Sequence, residues 1–167
     1  GLALGKSVLN MFSYTAAFSV AAAMGGAVET TSVDLAKRSR ELSTAHFEAN
    51  GFSMGNHRLV VMDVFDYFKY AKKKGLSYDL IVIDPPSFAR NKKRTFSANK
   101  DYHKLIAQSL DILSEHGTII ASTNAANMTV QQFKKQLRKG LGDVSADFVN
   151  LQQLPADFTV NPNDPTS

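Results

Sequence analysis

Cysteine is absent from the 167 residues, and with it go disulfides, thiolate metal ligands and thiol nucleophiles. Only four histidines remain, none at metal-ligand spacing, so zinc chemistry is not expected and no metal site is assigned. Long apolar runs are also missing. The opening stretch VLNMFSYTAAFSVAAAM is interrupted by Asn10, Ser13, Tyr14 and Thr15, and it reads as neither a membrane span nor a signal peptide. A cytoplasmic chain without a membrane partner is the expectation. What is present, 44% hydrophobic residues over this length, suits one core and one domain.

Charge is unevenly placed. Between Lys69 and Lys104 lie ten of the nineteen Lys and Arg, against Asp79, Asp84 and Asp101, which makes that segment +7. Such clustering suits a polyanion such as nucleic acid, and equally a solvated helix face followed by a loop.

Short apolar runs alternate with helix-period segments, the pattern of an α/β protein whose mostly parallel sheet is covered on both faces. Six strands are expected: 7–12, 29–34, 58–63, 78–83, 118–122 and 147–154. Helices are expected over 16–24, stopped by Gly25 and Gly26, over 36–49, stopped by Asn50 and Gly51, and over 64–74, ending at Gly75. Two more are expected over 101–113 and, with Thr129 as N-cap, over about 130–139. Residues 87–99 have no clear period and read as a loop. The tail PADFTVNPNDPTS reads as irregular. Little chain precedes the first strand or follows the last, so a portion of a longer polypeptide is expected.

Doubly wound sheets collect ligands at the carboxyl ends of their strands. Of the first five strand ends, three carry an acid: Asp34, Asp63 and Asp84. Asp34 follows Ser13 at about the spacing that lets a second-strand acid reach ribose hydroxyls, with Leu35 beside it, although it could equally cap the next helix. SYTAAF lacks the G-x-G-x-x-G that admits a pyrophosphate, so a nucleoside without phosphates fits better; S-adenosylmethionine is one. Asp63 is placed to accept from an adenine amino group while the Val64 amide donates to the ring, or simply to start a helix. Asp84 is followed by Pro85 and Pro86, which end the strand and fix acceptors where a substrate amino or imino group can dock. Phe88 offers a stacking surface for an extruded base. A plain strand-end acid is the bland alternative.

Taken in order, VLNMFSYTAAFSVAAAMGGA, TSVDLAK, DVFDYF, YDLIVIDPPSFARNKKRTFSANKDY and LQQLPADFTVNP resemble the catalytic domain of bacterial large-subunit ribosomal RNA methyltransferases, the group that includes the cytosine C5 methyltransferase I. The resemblance spans nearly the whole chain. It implies a Rossmann-like class I fold over 1–167, with an N-terminal PUA-type RNA-binding domain and a last strand lying outside this chain. It implies S-adenosyl-L-methionine against Phe12, Ser13, Tyr14, Thr15, Asp34, Leu35, Asp63, Val64 and Asp84. Asp84, Pro85, Pro86 and Asn124 would then form the catalytic group, and Phe88, Arg90, Lys92, Lys93 and Arg94 would meet RNA. Homodimerisation is left open.

Two departures stand out. The family has glycines where Ala16 and Ala17 stand, which is expected to narrow the approach to the methionine moiety. The cytosine C5 enzymes carry a cysteine just after strand five, where this chain reads Ser122-Thr123-Asn124. Carbon 5 of cytosine is a poor nucleophile until a thiolate adds at carbon 6, and a threonine hydroxyl is almost never ionised. Methyl transfer to a base nitrogen needs no adduct and is therefore expected. A catalytically silent RNA-binding scaffold and a methyltransferase of a non-RNA substrate are the alternatives.

Overall fold

The computed structural model describes residues 1–91 and 93–152. They fall into two compact units, one made of Gly1–Pro85 with Gln108–Thr123, the other of residues 86–107 with the described residues from 124 on.

The first unit holds a five-stranded, wholly parallel sheet. Its strands are β1 (Ser7–Met11), β2 (Glu29–Asp34), β3 (His57–Val61), β4 (Tyr78–Ile83) and, further along the chain, β7 (Leu113–Ala121). The order is β3-β2-β1-β4-β7, so the direction in which successive strands are added reverses between β1 and β4. Helices α1 (Ala17–Met24), α2 (Lys37–Ala49) and α3 (Val64–Lys74) make the crossovers. Right-handed connections put α1 and α2 on one face and α3 on the other.

The strands are apolar because both faces are covered. Val8, Leu9, Met11, Val33, Ile81 and Ile83 have no exposed surface. Under α1 and α2, Ala16, Val20, Ala23 and Phe47 pack with Phe52, Met54 and Leu59, while His57 stacks on Phe47 with ring centroids 4.6 Å apart. Burial holds the His57 imidazole below its usual range. On α3, Phe65, Phe68 and Ala71 are buried at helical spacing. Tyr67 from the same helix meets Tyr78 of β4, hydroxyl to hydroxyl, at 2.5 Å; burial first, and then that bond, pushes the Tyr67 phenol above its usual range.

Three expectations need correction. Residues 87–99 are not a plain loop: β5 (Phe88–Arg90) and β6 (Thr95–Ser97) form an antiparallel hairpin in the second unit. Strands of three residues are too short to show a period. Helix α4 runs over Ala98–Leu110, earlier than expected, because Asp101 does not begin the helix but reaches back to accept from the Ser97 amide. Leu113 consequently opens β7 and pairs with Tyr78. Beyond it, Leu80 pairs with Thr118, so residues 114–117 bulge out, with His116 at φ 59°. A Cβ on Gly117 would stand 2.7 Å from the Leu113 side chain, which explains the glycine. The expected strand over 147–154 is absent across 147–152, and its last two residues and the tail from Pro155 lie outside the described residues.

In the second unit α5 (Val130–Leu141) begins in a full capping box between Thr129 and Gln132. It packs closely on the α4 segment of that unit: a Cβ on Gly140 would come within 2.5 Å of Ile106. Among the described residues no helix is long and apolar enough to cross a membrane.

At the amino end of the sheet one carboxylate ties three strands. Asp79 of β4 accepts from the Ser7 amide and hydroxyl of β1, each at 2.9 Å, and from the Ser114 hydroxyl of β7 at 2.7 Å. These bonds, the Ser7 amide foremost, hold its carboxyl below the ordinary 3.8. Its stabilisation is complete above 3.8 and is lost as pH falls through the lower folded-state value. Replacing Asp79→Ala should cost about 2 kcal/mol at neutral pH in urea unfolding. The gap from wild type should close in acid below the ordinary carboxylate value; a gap independent of pH would refute this origin.

Candidate active site at the strand tips

Parallel pairing brings the carboxyl ends of β3, β2, β1 and β4 to one edge of the first unit, and with them Asp63, Asp34, the 12–16 loop and Asp84. Two inter-strand spacings, roughly 10 Å, separate the tips of β2 and β4 on either side of β1.

The β1–α1 loop has an unusual backbone. Phe12 (φ 58°), Tyr14 (φ 45°) and Ala16 (φ 59°) all lie in the left-handed region, and among the described residues only His116 also does so without being glycine. Each costs on the order of 1 kcal/mol. The Ala16 methyl is fully buried against Val20, Ala23 and Phe47, so this alanine does not narrow the opening as expected; it fills the core below. Ala17 is exposed.

Asp34 stands at the centre of the edge. One carboxylate oxygen accepts from the Tyr14 amide at 2.9 Å; the other accepts from the Ala36 amide at 2.8 Å and the Ser39 hydroxyl at 3.1 Å. It therefore braces the start of α2, as a cap would, and also holds the β1 loop. A carboxylate has about four acceptor sites, so room for a further donor remains. Behind it a cavity of about 10 Å³, lined by Ser13, Ser32, Asp34, Ser39, Ser43 and Val61, would hold a single water. A nucleoside would have to lie on the open edge above the strand tips.

Asp63 is the N-cap of α3, its Oδ1 accepting from the Phe65 and Asp66 amides at 3.1 and 3.2 Å, and Val64 begins that helix, buried. Leu35 is exposed beside Asp34. Asp84 accepts from the Ser122 hydroxyl at 2.5 Å, a bond that orients the carboxylate just where β4 ends; Pro85 is buried. The unit boundary falls between Pro85 and Pro86. Asn124 lies in the second unit, where its Oδ1 accepts from Ser87 at 3.1 Å. Phe88 is 61% exposed, and the alternation of β5 sets Phe88 and Arg90 on one side of the hairpin, with Ala89 on the other. The Asn91 side chain accepts from the Lys93 and Arg94 amides and shapes the turn. Lys92 is outside the described residues.

The sequence reading missed residues of α2 that reach this edge. Ser43 donates to the Tyr14 carbonyl at 3.1 Å, and the His46 Nδ1–H donates to the Thr15 carbonyl at 2.9 Å. Their signal was available: Ser39, Ser43 and His46 follow at i, i+4 and i+7 beside buried Phe47, a polar stripe where an ordinary core helix would be apolar.

A family model described as S-adenosylmethionine-dependent methyltransferase matches residues 1–165. YwbD of Bacillus subtilis, provisionally named a ribosomal RNA large subunit methyltransferase, is 49% identical over 93% of this chain and 40% of its own length. Ribosomal RNA large subunit methyltransferase K of Neisseria meningitidis is 35% identical over 93% of this chain and 43% of its own. The solved structure of SMU.776, provisionally a methyltransferase and complexed with SAH, superposes with a TM-score of 0.93 at 72% identity, over 97% of this chain and 42% of that one. The chain thus spans about two fifths of the relatives it matches.

Because Asp63 caps α3, Asp63→Ala should lower stability by about 1 kcal/mol, whereas Asp63→Asn should keep it, as asparagine caps equally well. Thermal unfolding of the two variants checks this; equal losses would mean that the cap is not what the carboxylate supplies.

Proposed function

The chain belongs to the S-adenosylmethionine-dependent methyltransferase family, and we propose that it carries a methyl group from that donor to a base nitrogen of RNA, with large-subunit ribosomal RNA as substrate and the cytoplasm as site of action. The observation that carries the reading is the edge itself: a non-glycine loop at positive φ and a carboxylate on each of the neighbouring strand tips. The relatives named as ribosomal RNA methyltransferases support the choice of substrate.

In this reading Asp34 accepts from the ribose with its remaining lone pair, beside Leu35. The backbone of Phe12, Ser13, Tyr14 and Thr15 borders the amino-acid end, and Asp63 with the Val64 amide borders the adenine. Bound there, the donor would supply an electrophilic methyl carbon on a sulfonium, whose transfer to a base nitrogen would leave a neutral thioether and a proton. Asp84 accepts a hydrogen bond from the target's amino or imino group and so aims its lone pair. Ser122 keeps that carboxylate in place. Pro85 and Pro86 remove the backbone freedom that aiming would otherwise cost. Phe88 stacks on the base, Asn124 orients it, and Arg90, Lys92, Lys93 and Arg94 meet phosphates.

Thr123 stands where a cysteine would be needed for a covalent adduct, and no thiol exists in this chain. Nucleoside mass spectrometry of ribosomal RNA treated with the full-length protein should show an N-methylated base and no 5-methylcytosine; appearance of 5-methylcytosine would overturn the assignment. Asp84→Ala should cut the rate at saturating donor by at least about a hundredfold.

The partner is tested separately. Changing Arg90, Lys92, Lys93 and Arg94 to glutamine should weaken RNA binding and make its salt dependence shallower. Unchanged RNA affinity with intact SAH binding would favour a non-RNA substrate, and absence of SAH binding would favour a silent scaffold.

A further inference from the structure

We propose that Ser43 and His46 are positioning residues of the methyl-donor site: from α2 they clamp the backbone of the β1–α1 loop into the left-handed shape that receives the cofactor. The inference rests on the cofactor reading above and goes beyond it, since neither side chain belongs to the strand tips.

The geometry is specific. Three of five consecutive loop residues, none of them glycine, hold φ between 45° and 59°, a conformation the chain would leave unless something held it. Ser43 and His46 sit one helical turn apart on one face of α2. Each donates to a loop carbonyl, Ser43 to Tyr14 and His46 to Thr15, at 3.1 and 2.9 Å. Asp34 takes the Tyr14 amide at 2.9 Å, so that one peptide segment is gripped through both its donor and its acceptor. A carbonyl cannot donate, so the His46 Nδ1 must carry the proton. Packing alone does not explain the stripe, because Ser43 is fully buried where an alanine would serve the core better.

The clamp has a chemical consequence. With the two carbonyls drawn toward α2, the loop keeps a single shape before ligand arrives, and the cofactor need not pay to order it. Loss of either donor should appear as weaker donor binding while the core stays intact.

The test uses the full-length protein and SAH as probe. His46→Ala and Ser43→Ala should each raise the calorimetric Kd about tenfold, the usual worth of one hydrogen bond. His46→Asn, whose amide nitrogen occupies nearly the place of Nδ1, should stay within about threefold of wild type. In the cofactor-free protein, amide exchange across residues 12–16 should accelerate about tenfold in the alanine variants and not in His46→Asn, while the amides of β1 keep wild-type protection. Wild-type affinity in both alanine variants overturns the inference, as does a His46→Asn variant as weak as His46→Ala. If wild type itself fails to bind SAH, the cofactor reading falls and this inference with it. Loop exchange then still shows whether the clamp exists: faster exchange leaves it a structural feature only, and unchanged exchange removes it altogether.

Discussion

The carboxylate of Asp34 is the knot on which the site depends. It ends β2, holds the Tyr14 amide across the gap to the β1 loop, and satisfies the Ala36 amide and Ser39 hydroxyl where α2 begins. The end of β2, the adjoining start of α2 and a loop 20 residues earlier are thereby set by one side chain, and each bond is charge-assisted, stronger than a neutral pair. Together with Ser43 and His46 it holds the loop in its left-handed shape. The same group that orders the edge is the one proposed above to accept from a ribose.

Most of the sheet was legible because burial on both faces writes itself as apolar runs: β2, α3 and β4 match their expected bounds residue for residue. The acids at three of the tips were legible as charges ending apolar runs, although a carboxylate there caps a helix as readily as it binds a ligand. Position along the chain, however, says nothing about where a carboxylate points. Asp63 turns back onto its own helix, a local bond between neighbours in sequence. Asp34 turns across to a different loop, a bond between residues 20 apart that no local pattern announces.

The misses share one cause. The β5–β6 hairpin pairs strands of three residues, too few to establish alternation, and its turn depends on a side-chain acceptor, Asn91, rather than on a glycine. In β7 the bulge places a turn inside a strand, so Leu113 read as the last apolar residue of a helix instead of the first of a strand. The α2 stripe was overlooked because polarity on a helix reads as exposure. Only the buried state of Ser39 and Ser43 shows that these hydroxyls face inward. Wherever tertiary contacts override a local rule, sequence periodicity misassigns the element.

The cluster of cations between Lys69 and Lys104 divides in the structure. Lys72, Lys73 and Lys74 occupy the last turn of α3, where positive charge is favoured by the helix dipole, and Lys72 pairs with Asp111 at 2.9 Å. Lys104 pairs with Asp101 at 2.7 Å in the second unit. These charges have local work that any soluble helix would give them. Arg90 differs: it shares a side of β5 with an exposed phenylalanine, the pairing of cation and flat ring that suits a stacked base beside its phosphate. Net charge alone would have weighted all ten cations equally. Their placement instead assigns the helix cations to stability and leaves the hairpin as the part whose chemistry points outward.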